Sequence, residues 1–269
     1  MTEASRKLYG GLDLHSSNVY CGIVDQGSNR VFAKRLRTNR AEILYALEPY
    51  RSQMQAIAVE STYNWYWLVD DLLEAKYLAR LANPAAMQQY TGLKVSTDRS
   101  DAFWLAEMLR LDILPEGYIY PQEIRPVRDM LRRRLLMRRQ RTQMLLSLQS
   151  MIQRQTSKKF KSSKLGTWTK QEAQECFSDD YSRETAWVMV QSIQKQSDLL
   201  KQLERSVLDR LEKESGYSQV TQIPGIGEIL GMTIRLGTGR IDRFASAGNY
   251  ASYCRTVRRS ELLTSTKLK

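Results

Sequence analysis

The fold is decided near the start of the chain, where residues 8–36 read LYGGLDLHSSNVYCGIVDQGSNRVFAKRL. Three strand-like runs lie in this stretch, at 8–15, 18–25 and 30–36. The sequence Asp25-Gln-Gly-Ser-Asn29 between the last two runs is typical of a turn. Because short connections of this kind join antiparallel neighbours, the stretch predicts three antiparallel strands at the start of a sheet.

Helices and strands alternate after these three strands. In chain order, the predicted elements are a helix at 39–51, a buried strand at 54–60, a helix at 64–75, a strand at 77–82 and an amphipathic helix at 98–110. Three antiparallel strands followed by alternating helices and strands are the element order of an RNase H-like α/β fold. We therefore predict such a domain over residues 1–121.

The composition argues against several classes of protein. A single histidine, His15, rules out sites built from several histidines and disfavours a Ser-His-Asp triad, while three widely separated cysteines disfavour a zinc site or a disulfide framework. No apolar run reaches membrane-spanning length, and the first residues do not resemble a secretion signal. We therefore expect a cytoplasmic, nucleoid-associated protein with no membrane partner.

The chain carries a net charge of +12, from 41 lysines and arginines against 29 acids. This excess favours a polyanionic partner, because cationic side chains that neutralise phosphates release bound counterions. Residues 125–164 concentrate the charge, with thirteen lysines or arginines and one acid, Asp129. An apolar stripe along the same residues predicts one long basic amphipathic helix, with a mobile basic loop at 157–164.

We predict that this basic segment binds nucleic acid, with a merely solvated charged face as the alternative. The candidate contacts are Arg132, Arg133, Arg134, Arg138, Arg139, Arg141, Lys158, Lys159 and Lys161. A second helix is predicted at roughly 184–214, where Ile193, Leu200 and Val207 repeat every seven residues. This seam forms either a coiled-coil hairpin with the first helix or a dimer contact, and the two helices make up a predicted arm at 122–215.

Four acidic residues predict a metal site. Asp13 interrupts an otherwise apolar strand, where a charge is costly unless it is paired or binds a metal. Glu60 ends a second apolar strand, and Asp98 and Asp101 lie three residues apart on one face at the start of a helix. If these elements are neighbours, four oxygen ligands suited to Mg²⁺ or Mn²⁺ converge. The alternatives are a strand-edge position for Asp13, and helix capping or helix-dipole interactions for the other three.

The sequence around these acids resembles a known family. The likeness rests on Gly11-Leu-Asp13-Leu-His15, Ala58-Val-Glu60-Ser-Thr62, Ser96-Thr-Asp98-Arg-Ser-Asp101-Ala102 and Ile223-Pro-Gly-Ile-Gly227, in that order. Chains of this kind are the DEDD-type insertion-sequence transposases, whose nuclease domain is similar to that of RuvC Holliday-junction resolvases. The DNA invertases of pilin inversion are similar too.

The resemblance implies a function and its residues. Asp13, Glu60, Asp98 and Asp101 would be the catalytic, metal-binding tetrad of a recombinase that acts on double-stranded DNA. Because recombination joins two duplexes, the expected assembly is a homodimer or homotetramer. Relatives can use a structured non-coding guide RNA to choose their DNA, and only the resemblance extends that partner to this chain.

The third predicted domain, residues 216–269, contains Ile223-Pro-Gly-Ile-Gly227. Glycines allow a backbone to approach a phosphate closely, and the N–H groups at the start of a following helix would face it. The segment therefore predicts a helix-hairpin-helix-like turn, with Gly225 and Gly227 as candidate nucleic-acid contacts. An ordinary tight turn between helices is the alternative.

A serine near the C-terminus is the strand-cleaving nucleophile in the family, followed by a stretch rich in glycine and lysine. Here Ala251-Ser-Tyr-Cys-Arg255 resembles the lead-in, so Ser260 and Ser265 are the candidate nucleophiles, with Thr264 as a third hydroxyl. The glycine-rich stretch is not found before Lys269. The sequence therefore favours a transposase and leaves one alternative open, a truncated, non-catalytic remnant that binds nucleic acid.

A third interpretation comes from the first strand pair. Gly11-Leu-Asp-Leu-His-Ser-Ser17 also resembles the phosphate-binding hairpin of actin-like ATPases and sugar kinases. Those folds need a second glycine-rich phosphate loop in a later strand, which the sequence lacks. The basic segment is also not needed there, so this interpretation is disfavoured.

Overall fold

The computed structural model describes residues 6–93, 98–209 and 217–256, with all of their side chains except those of 91–93, 98–100 and 217. Its contacts divide the chain into two compact units, Met1–Ile119 and Tyr120–Lys269. The predicted division of the second unit into an arm and a C-terminal domain stays a prediction, because residues 210–216 lie outside the described ranges. Within those ranges, no helix is both long and apolar enough to cross a bilayer.

A mixed five-stranded sheet forms the centre of the first unit. Its strands are β1 (Leu8–Leu14), β2 (Asn18–Asp25), β3 (Arg30–Arg37), β4 (Met54–Glu60) and β5 (Ala79–Ala82). They lie in the order β3-β2-β1-β4-β5. The first three strands pair antiparallel, whereas β1 with β4 and β4 with β5 pair parallel. The predicted strands are therefore present, and β1 is the central one.

The helices of the first unit are α1 (Arg40–Leu47), α2 (Tyr66–Glu74), α3 (Pro84–Met87) and α4 (Asp98–Arg110). The first predicted helix is shorter than expected, because Pro49 comes two residues after Leu47 and the chain continues as a 3₁₀ turn, Glu48–Gln53. The sequence did not predict α3 or the 3₁₀ turn Gln88–Leu93 that follows it.

The two faces of the sheet bury different side chains. On one face, Leu8, Leu12 and Leu14 of β1 join a large apolar core with α1 and α2. On the other face, small residues let α4 lie directly on β1, β2 and β4. Since side chains alternate along a strand, the odd-numbered residues of β1 face α4.

The predicted turn between β2 and β3 is confirmed and is built around Asp25. Its Oδ1 accepts hydrogen bonds from the backbone N–H groups of Gly27 and Asn29, both at 2.9 Å, and Arg6 lies 2.9 Å from its Oδ2. The hydrogen bond from the Asn29 backbone is the largest cause that lowers the pKa of Asp25, to about 2. The ionised carboxylate thus holds the turn together.

The second unit is helical. Its helices are α5 (Arg125–Thr156), α6 (Ser162–Leu165), α7 (Lys170–Glu175), α8 (Asp180–Leu208), α9 (Tyr217–Thr221), α10 (Glu228–Thr238) and α11 (Ala247–Tyr253), with 3₁₀ turns at Gln122–Ile124 and Ile241–Arg243. The helix α5 begins at Arg125, where the basic helix was predicted to begin, whereas α8 differs from its predicted bounds of 184–214 at both ends. α5 ends at Thr156 because Ser157 adopts the left-handed conformation, with φ 58°, that commonly ends a helix. α8 begins after Asp179, whose side chain accepts a hydrogen bond from Ser182 N–H.

The long helices α5 and α8 pack antiparallel as a hairpin. Val127 and Leu131 near the start of α5 pack with Val207 near the end of α8. At the other end, Ile152 packs in one cluster with Ala186. The seam predicted from the heptad spacing is therefore occupied by α5 of the same chain.

In the basic stretch at 157–164, residues 157–161 form a loop as predicted, and the short helix α6 follows from Ser162, which the sequence did not predict. Leu165 is fully buried, and Phe160 packs edge-on against Trp168 with ring centroids 5.1 Å apart. The side-chain amide of Gln149 donates to the carbonyl of Phe160 at 2.7 Å. Aromatic anchors therefore hold this end of the hairpin in place, while its lysines stay exposed.

Candidate active site

Among the predicted metal ligands whose side chains the structure describes, Asp13 is the most buried. It lies in the central strand and is 3% exposed, which makes the strand-edge interpretation wrong. Its side chain shares the α4 face of β1 with Tyr9 and Gly11, because residues two apart point the same way. Tyr9 packs against Phe103 and Ala106 of α4. Asp13 is thus a charged residue beneath a helix.

Glu60 is the last residue of β4, the parallel neighbour of β1. β1 and β4 are parallel, and their register pairs Gly11 with Ala58 and Leu12 with Val59. The pairing ends there, and the same register continued by one residue would bring Asp13 and Glu60 to adjacent positions on the same face, with backbones about 4.8 Å apart. The capping interpretation of Glu60 is wrong, because the residue before α2 is Trp65.

The helix α4 brings the other two acids to the same end of β1. A Cβ on Gly11 would lie 1.9 Å from the carbonyl oxygen of Ala102 and 2.8 Å from the nitrogen of Ala106, so helix and strand backbones touch. From Tyr9 to Gly11 the facing residues of α4 shift from Ala106 toward Ala102, so the two elements run antiparallel.

The spacing of strand and helix then locates the first turn of α4. Two strand residues advance about 6.6 Å, and four helical residues advance about 6 Å. Moving from Gly11 to Asp13 therefore moves along α4 from Ala102 to about Asp98. Asp98 is the first residue of α4 and Asp101 lies in the same turn, although the side chain of Asp98 lies outside the described residues.

Two further residues belong to this site, and the sequence interpretation did not single them out. Nε2 of His15 lies 3.0 Å from Oδ2 of Asp13. The side-chain amide of Asn64 donates to the backbone carbonyl of His15 at 3.2 Å and links the end of β1 to the loop after Glu60. For His15, the sequence signal was its position two residues after Asp13. The Asn64 contact depends on loop geometry and has no such signal.

The chemistry of this donor set fits a divalent cation. A buried carboxylate such as Asp13 is stabilised by a cation, and carboxylate oxygens are the ligands that Mg²⁺ and Mn²⁺ prefer. Among the side chains that the structure describes, which do not include Asp98, no group of three or more acidic, histidine or cysteine residues could hold an ion. The elements that carry the acids are neighbours in the sheet and on its α4 face, and the convergence of the acids on an ion stays a prediction.

A comparison with protein-family models shows the family of this chain. The model of the IS110-type DEDD transposases, described as a transposase, matches residues 10–156. The match covers more than half of the 269 residues. The chain belongs to the IS110-type DEDD transposase family. The match includes the four acids and all of α5, and it ends before Ile223–Gly227. A search of curated proteins found no match.

The arginines of α5 that were predicted to contact nucleic acid fall into two groups in the transposase. Arg134 donates to Glu204 of α8 through Nε at 2.7 Å and also through Nη2, while Nε of Arg141 donates to Ser197 at 2.6 Å. These two side chains hold the hairpin together. Exposed residues form the other group, which consists of Arg132, Arg133, Arg138 and Arg139. Lys158, Lys159 and Lys161 are also exposed.

The predicted glycine turn of the transposase joins α9 to α10. Gly225 has a φ of 89°, a conformation that side chains rarely tolerate, and a Cβ there would meet no atom within 4 Å. Gly227 has an ordinary φ of −79° and equally open surroundings, so the described fold does not need a glycine there. Both glycines are exposed and stay candidate nucleic-acid contacts. The candidate nucleophiles Ser260 and Ser265, and Thr264, lie outside the described residues.

Proposed function

We propose that this transposase cuts and joins DNA strands at a divalent-cation site formed by Asp13, Glu60, Asp98 and Asp101, in a first unit of the RNase H-like type. One observation carries the proposal. The close contact between Gly11 and Ala102 supports it, because it lays α4, whose first turn holds Asp98 and Asp101, on the strand that bears Asp13.

The chain's residues would bind and orient the reacting groups. A bound divalent ion supplies Lewis-acid stabilisation of the charge that develops at the phosphodiester. The carboxylates of Asp13 and Glu60 would hold the ion from the sheet, and those of Asp98 and Asp101 from the helix. Because β1 and α4 are in direct backbone contact, the distance between these two sets of ligands is set by a rigid packing contact.

A C-terminal hydroxyl would be the nucleophile, and Ser260, Ser265 and Thr264 are the candidates. Its oxygen would attack phosphorus as its proton leaves, and the bond from phosphorus to one DNA oxygen would break. The enzyme would then be joined to one DNA end, and the freed oxygen would take up a proton. A second DNA hydroxyl would then attack the phosphorus of this link and give up its proton, the bond from phosphorus to the enzyme oxygen would break, and that oxygen would take up a proton again.

The hairpin formed by α5 and α8 would bind the nucleic-acid backbone. Its exposed arginines, Arg132, Arg133, Arg138 and Arg139, face solvent on one long helix. Clustered arginines on one helix suit the regular phosphate spacing of a duplex or a structured RNA. A guide RNA and assembly into a dimer or tetramer are part of the proposal, on the strength of the family resemblance.

Cleavage by the purified protein tests the proposal. The substrate is a supercoiled plasmid that carries the coding region with its flanking DNA, and nicked and linear products are measured with and without Mg²⁺. We expect Asp13→Asn to lower the cleavage rate by more than about a hundredfold, since losing even an outer partner of a metal ligand costs about 10- to 100-fold. Asp112→Asn is the matched control, because Asp112 is exposed and has a φ of 56°, which asparagine tolerates.

Equal cleavage by Asp13→Asn and the parent protein would remove the four acids from the mechanism. If the parent protein does not cleave but retains nucleic acid, a binding module becomes the better description. Sequencing of RNA that copurifies with the parent protein tests the guide. A single structured species would support it, and a random mixture of cellular RNA would count against it.

A further inference from the structure

The hairpin of α5 and α8 is apolar near its ends and basic in its middle. Leu131 belongs to the apolar cluster at one end, and Leu145 belongs to the cluster at the other. The seam between two packed helices repeats in steps of three and four residues, and its positions are usually apolar. Between these two leucines, the seam positions of α5 are occupied by Arg134, Arg138 and Arg141.

An open groove of about 340 Å³ lies along this middle section of the hairpin. The three arginines line it on the side of α5. The lining residues from α8 are Ser197, Leu200, Lys201 and Glu204. The groove therefore combines four cationic side chains with one carboxylate, a balance of +3.

One of these cations is neutralised within the protein. Nε of Arg134 donates to the carboxylate of Glu204 at 2.7 Å. Nζ of Lys201 lies 3.9 Å from a carboxylate oxygen of Asp198, but these two side chains are 71% and 74% exposed. An exposed ion pair at this distance contributes little, so Lys201 keeps most of its attraction for another anion.

Arg141 is held in place without being neutralised. Its Nε donates to the hydroxyl of Ser197 at 2.6 Å, and this hydroxyl donates to the carbonyl of Ile193 at 2.7 Å. The serine thus fixes one edge of the guanidinium and leaves the two terminal nitrogens for another acceptor. In the part of the chain that the structure describes, no carboxylate oxygen lies within 4 Å of the guanidinium of Arg138 or Arg141.

We propose that this groove binds one phosphate of a nucleic-acid backbone that crosses the hairpin between its apolar ends, with Arg138, Arg141 and Lys201 as the ligands of the phosphate. The proposal rests on the binding of nucleic acid by the hairpin under the proposed function. A guanidinium donates paired hydrogen bonds to phosphate oxygens, and an ammonium adds a compact positive charge. A bound anion would also relieve the repulsion between cations that are three or four residues apart on one helix face.

The sequence of the seam favours a ligand over a purely structural role. Replacing partly buried charged residues by apolar residues of similar volume often leaves a fold equally or more stable. Apolar residues at these positions would therefore hold the hairpin together at least as well. Departures from good packing are expected at functional sites. The competing explanation is that the arginines only set the register of the two helices.

Binding of a duplex DNA probe to the full chain tests the groove, by fluorescence anisotropy at several salt concentrations. One variant combines Arg138→Gln with Lys201→Gln. The matched control combines Lys195→Gln with Arg205→Gln, two exposed cations of α8 that do not line the groove. All four side chains are exposed, so both variants should fold, which circular dichroism checks. We expect the affinity to fall about tenfold or more in the groove variant and less than about threefold in the control.

Two side chains that share one phosphate have joint effects. The slope of log affinity against log salt concentration should become shallower by about 0.9 in the groove variant, the value for one phosphate contact. The effects of Arg138→Gln and Lys201→Gln measured singly should not add up to that of the pair, since both contact the same group. Additive effects and a slope change of about 1.8 would show two separate contacts and would overturn the shared site.

The remaining outcomes separate the groove from the proposed function. If the groove variant binds DNA as the control does, the arginines serve the register of the helices, and DNA binding by the rest of the hairpin stands. If calorimetry shows that inorganic phosphate binds the parent protein but not the groove variant, while DNA affinity is unchanged, the groove takes a free anion and the proposal fails. If the parent protein does not bind the probe, DNA binding by the hairpin fails, and the groove proposal fails with it.

Discussion

The acidic end of the first unit and the basic surface of α5 differ in the burial of their charged residues. Asp13 is almost fully buried in a central strand, beneath a helix in backbone contact with it. Arg132, Arg133, Arg138 and Arg139 are exposed on one long helix. A buried charge depends on the position of each neighbour, so its function is a matter of geometry. Exposed charges act roughly additively on a polyanion, so their function is a matter of number.

The largest effect is expected at the contact that gives the acidic site its geometry. In Gly11→Ala the new methyl group would overlap the carbonyl of Ala102, and neither backbone can move without breaking the sheet or the helix. We expect the free energy of unfolding to fall by at least about 3 kcal/mol, the upper end for overpacking. Urea unfolding followed by circular dichroism measures it.

Gly237→Ala is the control for this prediction. Gly237 lies in α10, and a Cβ there would meet no atom within 4 Å. Alanine favours a helix over glycine by about 1 kcal/mol, so this variant should be as stable as the parent or slightly more stable. Equal stability of Gly11→Ala and the parent protein would show that α4 does not lie on β1 as described.

The second effect concerns the number of exposed charges. Replacing Arg132, Arg133, Arg138 and Arg139 together by glutamine should leave stability nearly unchanged. It should weaken binding to a duplex DNA probe and make the slope of log affinity against log salt concentration shallower by about 3 to 4, about 0.9 for each lost phosphate contact. Fluorescence anisotropy at several salt concentrations measures the slope.

Arg134→Gln is the matched control on the same helix. Arg134 is 15% exposed in its side chain and donates to Glu204 of α8. We expect it to cost about 1–2 kcal/mol of stability, because a charged hydrogen bond within the hairpin is lost, and to change the salt slope little. The same salt slope for the fourfold variant and the parent would contradict nucleic-acid binding by this surface.

The sequence predicts more of the acidic end of the first unit than of the basic surface of α5. All five strands and α4 follow from short apolar runs and helical spacing, and the four acids follow from charges in apolar strands and from the family resemblance. The contact of Gly11 with Ala102 could not be predicted, because it joins residues far apart in the chain. The same holds for the role of Asn64 beside His15.

The basic region shows a different limit. Its charge and its two long helices are evident from composition and spacing, but the sequence does not separate Arg134 and Arg141 from their exposed neighbours. That separation depends on the register of α8 against α5. The lysines and serines of 157–164 indicate a loop, which residues 157–161 form, but they give no sign of the packing of Phe160 and Leu165.

The smallest effect is a pH dependence at the turn between β2 and β3. Because the folded pKa of Asp25 is lowered to about 2, its ionised form stabilises the fold at any pH above the ordinary value near 3.8. This stability should be lost as the pH falls from about 4 to about 2. Asp25→Asn should lose less stability than the parent protein over that range, in urea unfolding at a series of pH values. A parallel loss in both would assign the acid sensitivity to other groups.

The position of a bound ion tests the central claim most directly. Crystals of the full chain soaked in Mn²⁺ would show the ion by its anomalous scattering. We expect a peak within about 2.1–2.3 Å of carboxylate oxygens from Asp13, Glu60 and the first turn of α4. A fully occupied Mn²⁺ elsewhere in the molecule, with Asp13 in contact only with protein groups, would contradict the account.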